Sequence, residues 1–172
     1  KIYKSMGEVI PKLNKIEKEF NKQFDRNYFG PLDLYKSEDA EIILIVAGTI
    51  AGTVKQTVDE LRSKGIKVGV IRLRVFRPFP AEEFKNVLKN SLFVGVLDRS
   101  FSFGYEGQIY SELKASLYAS DINPLIKNYI VGIGGRDVTI ETIKHIFENC
   151  EKCLKNKKVD YNIEWTNIKV KS

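Results

Sequence analysis

The chain has 172 residues, enough for one domain or for one domain with an added arm. Its hydrophobic fraction of 43% is ordinary for a globular protein, and no apolar run approaches the roughly 20 residues that a membrane-spanning helix needs. The net charge is +6, but the lysines are spread among Glu and Asp instead of forming one basic stripe with aromatic residues. We therefore expect no nucleic-acid partner, no membrane and, without a visible signal peptide, a cytoplasmic location.

The first predicted element is an amphipathic helix over about residues 5–25, which starts or kinks at Pro11. Its apolar positions are spaced by three and four residues: Ile10, Leu13, Ile16, Phe20 and Phe24. That stripe needs a surface to cover it, and the chain begins at Lys1 without an initiator Met. We expect residues 1–30 to be a helix and linker that continue from a preceding domain of a longer protein.

Strand and helix patterns then alternate over residues 31–150, which predicts an α/β domain. Leu32–Tyr35 alternates apolar and polar residues like a short edge strand, and the β-branched run Ala40–Ala47 indicates a strand buried on both faces. Further strands are predicted over residues 66–76, 92–97 and 128–131. Helices are predicted over residues 52–64, up to Lys89, around Ile109–Leu117, and from a capping Thr139.

Residues 151–172 are predicted to form a C-terminal arm whose β-like stretch, Tyr161–Thr166, packs on this domain or on a partner. Just before it, Cys150 and Cys153 form a lone Cys-x-x-Cys at the end of a late helix. A structural zinc site takes four ligands, and His145 is the only histidine of the chain. We interpret the cysteines as reduced thiols and expect no metal site.

Two glycine-rich connections are the most function-like parts of the sequence, because ligands and partners usually meet an open α/β sheet at the carboxyl ends of its strands. We call residues 98–107 the first rim and residues 132–137 the second rim. Asp98 is predicted to anchor a helix or loop by accepting backbone N–H groups from the turn 100–107. The two rims are predicted to meet, with Asp98–Arg136 or Arg99–Asp137 as possible pairs, and to dock a neighbouring domain. The predicted inter-domain residues are Asp98, Arg99, Gly104, Glu106, Gly107, Gly134, Gly135, Arg136 and Asp137.

An alternative interpretation is a stand-alone NADP-type nucleotide-binding module built on the turn Gly48–Thr53. The dinucleotide fingerprint G-x-G-x-x-G is not met, because the spacing here is Gly-x-x-x-Gly. Arg72, Arg74 and Arg77 at the end of the next strand would have to recognise a 2′-phosphate. A tight strand-to-helix turn with Thr49 as cap explains the same residues more simply. No nucleophile–base pair is visible, so we predict no catalytic and no cofactor-binding residue in this chain.

Four blocks of sequence carry a resemblance to a known family. They are Val46–Thr49 with Ala51–Val54; Gly69–Arg74 leading into Phe76–Pro80; Val96–Arg99 with Ser102–Gly104, Glu106 and Gly107; and Val131–Gly132 with Gly134–Thr139. In this order they resemble the C-terminal domain of the alpha subunit of pyruvate:ferredoxin oxidoreductase, in the 2-oxoacid:ferredoxin oxidoreductase family. The C-terminal domain of a thiamine-dependent, transketolase-like dehydrogenase component is a second alternative with the same fold.

The resemblance implies a transketolase C-terminal-like, three-layer α/β/α sandwich with a mixed, mostly parallel sheet of about five strands, of which Leu32–Tyr35 is our candidate for the antiparallel one. It implies a holoenzyme that oxidatively decarboxylates pyruvate to acetyl-CoA and reduces ferredoxin. It implies thiamine diphosphate with magnesium between the preceding thiamine-binding domain and a beta-type subunit, iron–sulfur clusters on other subunits or domains, CoA as co-substrate, and beta-, gamma- and delta-type subunits as partners. This chain alone is then expected to be an inactive structural domain.

Overall fold

One mixed sheet of six strands organises the part of the chain that this computed structural model describes, namely residues 1–28, 30–160 and 163–166. The strands are β1 (Leu32–Tyr35), β2 (Ile42–Ala47), β3 (Val68–Leu73), β4 (Phe93–Asp98), β5 (Leu125–Ile130) and β6 (Ile163–Trp165). The helices are α1 (Ile2–Gly7), α2 (Val9–Phe24), α3 (Ile50–Arg62), α4 (Ala81–Val87), α5 (Gln108–Leu117) and α6 (Ile140–Lys155). The strand order is β1-β3-β2-β4-β5-β6, and β1 alone pairs antiparallel among the described strands.

The core lies in two layers, one on each face of the sheet. On one face α3 and α6 pack against alternate residues of β2 such as Leu44 and Val46. On the other face α4 and α5 pack against Ile43 and Ile45. The predicted three-layer α/β/α sandwich is therefore confirmed, and the β-branched run of β2 is buried on both sides because helices cover both faces.

The edge strand β1 is antiparallel, as predicted from Leu32–Tyr35. It pairs with β3, with Leu32 opposite Leu73 and Tyr35 opposite Val70. Asp33 on this strand accepts a hydrogen bond of 2.8 Å from Lys55 of α3. The outermost strand is thus tied to the helix layer by a partly buried ion pair.

The sheet has six strands instead of about five, because part of the predicted arm joins it. β6 runs parallel to β5, and Thr166 donates its backbone N–H to the carbonyl of Ile130 at 3.0 Å. The buried ammonium of Lys127 stabilises this pairing, because it donates to the Glu164 carboxylate at 2.7 Å as well as to the side chain of Asn149. Trp165 packs on this domain, with its ring 4.6 Å from that of Phe101, whereas Tyr161 and Asn162 of the predicted stretch lie outside the described residues.

Several element boundaries differ from the sequence prediction. The N-terminal helix is divided at Glu8, and Pro11 lies in the first turn of α2, where its missing N–H costs nothing. α3 begins at Ile50, two residues before the prediction, and the Thr49 side chain makes no capping bond. β3 ends at Leu73 because the next backbone N–H groups, of residues 74 and 75, turn to the carbonyl of Pro31. Within the described residues no helix is both long and apolar enough to cross a bilayer.

Candidate functional site

The carboxyl end of the sheet holds a crevice between β2 and β4. The connection from β2 runs through α3 to β3, whereas the connection from β4 runs through α5 to β5, on the opposite side. Such a change of direction separates the two connections and opens a crevice that open α/β sheets use for ligands. Here the crevice lies between Gly48–Thr49 after β2 and Arg99–Ser100 after β4.

Asp98, the last residue of β4, lies beneath this crevice and is 1% exposed. Its carboxylate accepts hydrogen bonds from the backbone N–H of Ile109 at 2.9 Å, the backbone N–H of Tyr110 at 3.2 Å and the side-chain amide of Asn128 at 2.9 Å. Burial raises the pKa of the Asp98 carboxyl, while these three donors act in the opposite direction. The carboxylate caps the N-terminal turn of α5, which confirms the anchoring role, but its backbone donors lie beyond the predicted turn 100–107.

Sequence reasoning missed Asn128, which completes this anchor from the neighbouring strand. Its side-chain oxygen accepts the N–H of Gly107 at 2.9 Å, and its amide nitrogen donates to the carbonyl of Val96 at 3.1 Å as well as to Asp98. A Cβ atom at Gly107 would overlap the Asp98 carboxylate, so only glycine fits there. We call Asp98, Gly107 and Asn128 the Asp98 anchor. A signal was present in the sequence, because Asn128 interrupts an otherwise β-forming stretch.

Another rim residue, Glu106, also turns inward. It is 7% exposed, and its carboxylate accepts a hydrogen bond of 3.0 Å from the hydroxyl of Ser111 and one of 3.3 Å from Lys114. Both donors belong to α5. Glu106 therefore fixes the end of the first rim to the helix and does not present a charge at the surface.

The outward part of the first rim is aromatic and cationic. Phe103 is 98% exposed and Tyr105 is 64% exposed, on a turn in which Gly104 has a φ of 74°. The turn is closed by the Tyr105 N–H on the carbonyl of Ser102 at 2.9 Å. Arg99 is exposed and makes no hydrogen bond or ion pair within the described part of the chain. The first rim thus offers two aromatic rings and one unpaired guanidinium.

The second rim lies beside the first, as predicted. The backbone N–H of Val131 donates to the carbonyl of Asp98 at 2.9 Å, which joins the ends of β4 and β5. Arg99 reaches across to Gly132, and a cavity of about 280 Å³ holds Arg99, Arg136 and Asp137 among its lining residues. Neither predicted pair forms, because the carboxylate of Asp98 is taken by the donors of its own anchor and Arg99 has no ionic partner among the described residues.

A second cavity, of about 440 Å³, lies on the other side of Arg99. Its apolar lining comes from the strand ends and from α5: Ala47, Leu73, Phe76, Leu97 and Ile109. The polar lining includes Ser100 and Gln108, which hydrogen-bond to each other, and Arg74. Arg74 is held by Glu17 at 3.0 Å and by the carbonyl of Gly30 at 3.0 Å.

These contacts bear on the nucleotide-binding alternative. Two of the three arginines that would have to recognise a 2′-phosphate are already engaged, Arg74 with Glu17 and Arg77 with Glu112. The turn Gly48–Thr53 leads into α3 as a short strand-to-helix connection, with Gly48 at a φ of 75°. The geometry therefore favours the simple turn over a dinucleotide loop.

The cysteine pair is buried in α6. Cys150 is fully buried, its sulfur lies 3.3 Å from the hydroxyl of Tyr129, and burial raises the pKa of the Cys150 thiol to about 12. A thiol with such a pKa stays protonated near neutral pH and is a poor nucleophile or metal ligand. No three His, Cys, Asp or Glu side chains are grouped to hold a metal within residues 1–28, 30–160 and 163–166. Exposed His145 lies 4.0 Å from Glu164.

Comparison with known proteins gives one family model, described as pyruvate:ferredoxin oxidoreductase core domain II, which matches residues 40–143. The ketoisovalerate oxidoreductase subunit VorA of Pyrococcus horikoshii is 41% identical over 169 residues, which are 98% of this chain and 43% of that protein. The pyruvate synthase subunit PorA of Methanosarcina barkeri is 40% identical over 153 residues, 88% of this chain and 38% of that protein. The chain thus spans less than half the length of these curated relatives.

A solved structure shares the fold. The 2-oxoglutarate:ferredoxin oxidoreductase from Magnetococcus marinus, solved with 2-oxoglutarate, coenzyme A and succinyl-CoA bound, matches with a TM-score of 0.56. Its sequence identity is 23%, and the match covers 78% of this chain and 22% of that one. At this identity the likeness concerns the arrangement of strands and helices alone.

Proposed function

The chain belongs to the pyruvate:ferredoxin oxidoreductase core domain II family, and from this premise we propose that it is a structural, assembly-directing domain of the alpha subunit of a 2-oxoacid:ferredoxin oxidoreductase. The complete enzyme would oxidatively decarboxylate pyruvate, or a related 2-oxoacid, to the acyl-CoA and reduce ferredoxin. The names of the relatives support this reaction class, since they are subunits of ketoisovalerate oxidoreductase and pyruvate synthase.

The proposed division of the chain follows the sequence prediction. Residues 1–30 would connect a preceding thiamine-binding domain, residues 31–150 would form the α/β domain, and residues 151–172 would form the arm. Helix α2 supports this, because none of its side chains is buried and Phe24 is 53% exposed. The other proposed partners are beta-, gamma- and delta-type subunits, in a cytoplasmic complex.

The metals of such an enzyme do not fit the residues that the structure describes. Thiamine diphosphate is held through a magnesium ion and iron–sulfur clusters through four thiolates, yet no three metal-ligating side chains are grouped in the part of the chain that the structure describes. Both cysteines belong to α6 and are buried in the core. The proposal therefore places the magnesium of thiamine diphosphate and the iron–sulfur clusters in other parts of the holoenzyme, which would use CoA as co-substrate.

One observation in particular supports the proposed assembly role. The Asp98 anchor fixes the two buried ends of the first rim by hydrogen bonds, and between these ends the same loop exposes Phe103 and Tyr105. Exposed aromatic rings on a rigid support are typical of interface anchors, since they bring large contact area at little entropic cost. The proposed inter-domain surface is thus the outward part of the first rim together with Gly134, Gly135, Arg136 and Asp137 of the second.

The test uses the full-length subunit assembled with its partner subunits. The double variant Phe103→Ser/Tyr105→Ser should weaken assembly at least tenfold, measured by native mass spectrometry over a dilution series. The matched control is Tyr118→Ser, because Tyr118 is 85% exposed at the opposite end of α5. Unchanged assembly of the double variant would contradict the proposal. In addition, the 172-residue chain should show no turnover with pyruvate, CoA, thiamine diphosphate and an electron acceptor.

A further inference from the structure

Arg99 occupies an unusual position, because it lines two neighbouring cavities at the carboxyl edge. It follows the central strand β4, is exposed, and has no hydrogen-bonding or ionic partner among the described residues. The other arginine of the larger cavity, Arg74, is neutralised by Glu17 at 3.0 Å. Arg99 is therefore the one arginine of the larger cavity without an ion-pair partner among the described residues, and the Asp98 carboxylate that lines the same cavity is bonded to the donors of its own anchor.

The larger cavity also has an apolar lining, which a bound group has to match. Its apolar lining at Leu73, Leu97 and Ile109 continues the hydrophobic core, and Phe76 stands at the surface with 36% exposure. An apolar group in this cavity would leave water, and a carboxylate beside it would meet Arg99. The chemistry that fits is an apolar side chain next to an acidic one.

The surroundings favour a protein segment over a free small molecule. Phe103 and Tyr105 extend from the same loop as Arg99, outside the cavity, and Phe101 stacks edgewise on Trp165 at 4.6 Å. A ligand of cavity size would leave these rings in water, whereas a protein surface covers them together with the cavity.

We propose that the crevice beside Arg99 receives an acidic segment of a neighbouring domain or subunit, with a carboxylate on Arg99 and an adjacent apolar side chain in the 440 Å³ cavity. This rests on the proposed assembly function and specifies its contact. The segment is defined by its chemistry, an Asp or Glu within about two residues of an apolar side chain, because that spacing spans the distance between neighbouring side-chain sites.

Charge reversal tests the ion pair in the full-length, assembled enzyme. Arg99→Glu should weaken assembly at least tenfold, because it places like charges together, and Arg99→Lys should weaken it less. The matched control is Lys89→Glu, since Lys89 is exposed on the connection that precedes β4, at the opposite end of the sheet. A folded Arg99→Glu variant whose assembly stays within twofold of the wild type overturns the proposal.

A second measurement identifies the occupant directly. A photo-cross-linking residue, p-benzoylphenylalanine, replaces Ser100 at the border of the cavity, and the linked peptide is sequenced by mass spectrometry. A peptide with an Asp or Glu beside an apolar side chain supports the proposal, whereas a basic peptide overturns it. Benzoate, a small apolar carboxylate, serves as the third probe. The proposal is also overturned if benzoate binding depends on Arg99 while Arg99→Glu leaves assembly unchanged.

The two proposals can fail separately. If Phe103→Ser/Tyr105→Ser weakens assembly and Arg99→Glu does not, the assembly function stands and the acidic segment is wrong. If neither set of variants changes assembly, the proposed function itself is wrong. Thermal unfolding of each variant shows that the fold is kept, which is expected because all three side chains are exposed.

Discussion

The two rims of the carboxyl edge are neighbours, yet they are held in different ways. The first rim is fixed by buried side chains, with Asp98 and Asn128 bonded to backbone groups of Gly107, Ile109 and Tyr110. The second rim is built on glycines with positive φ. Gly132, Gly134 and Gly135 have φ values of 64°, 69° and 76°, and the following helix is capped by the exposed Thr139.

This difference follows from the position of each rim in the sheet. β4 is a central strand whose end lies under α5, so any polar group there must find a partner within the protein. Residues 134–137 of the second rim are exposed, so their backbone groups are open to solvent and place fewer demands on the neighbouring side chains. The first rim is consequently a rigid platform, and a suitable base for the exposed Arg99, Phe103 and Tyr105.

The largest effect is expected from removing the Asp98 carboxylate. Asp98→Ala leaves the N–H groups of Ile109 and Tyr110 and the amide of Asn128 without their buried acceptor, which should cost about 3–4 kcal/mol of unfolding free energy. On the second rim, Thr139→Ala loses one exposed cap and should cost about 1 kcal/mol. Urea unfolding of both variants measures the difference. Equal losses would show that the first rim has no special rigidity.

Two glycine substitutions distinguish a steric clash from backbone strain as the cause of a loss of stability. Gly107 has an ordinary φ of −69°, so Gly107→Ala fails only because its Cβ meets the Asp98 carboxylate, and we expect a loss of about 2–3 kcal/mol. Gly134 has open space around it and a φ of 69°, so Gly134→Ala should cost only about 1 kcal/mol of backbone strain. Thermal unfolding checks the order. A larger loss for Gly134→Ala would mean that the second rim is the more constrained of the two.

Much of the fold was predictable because hydrophobic pattern decides it. Sequence patterns indicated which face of each element meets the core. They are the apolar run of β2, the alternation in β1 and the helical spacings of α5 and α6. β6 was less predictable as part of the sheet. Its three residues pair with β5, and Glu164 contacts Lys127, 37 positions away; a local pattern carries no information about such partners.

For the site, too, the local sequence did not identify partners that are distant along the chain. That Asp98 anchors a helix was predictable from a carboxylate between a buried strand and a glycine-rich turn. Its donors were not, because Asn128 lies 30 positions away, on a strand whose register with β4 is set by the whole sheet. The possible pair Asp98–Arg136 is not formed for a related reason. The Asp98 carboxylate is bonded to groups of α5 and β5, which the linear sequence does not place beside it.

The smallest expected effect is the pH dependence of the unfolding free energy that comes from the Asp98 carboxyl. Burial raises the pKa of Asp98 above its ordinary 3.8, so the folded protein holds this proton more tightly than the unfolded chain does. The stability contributed by this group is present below the unfolded pKa and is lost as pH rises through the folded pKa. The loss is limited, because the three donors to the carboxylate oppose the burial that raises its pKa.

Asp39, Asp59 and Glu141 titrate in the opposite sense, since hydrogen bonds lower the pKa of each. The informative quantity is therefore the difference between wild type and Asp98→Asn. We expect the wild type to lose stability relative to Asp98→Asn as pH rises from about 4, measured by urea unfolding at fixed ionic strength. Thr139→Ala removes no charge, so its free energy of unfolding should change with pH in the same way as that of the wild type. A difference of the opposite slope would mean that the donors of the Asp98 anchor outweigh its burial, and that the platform under the first rim is held by charge.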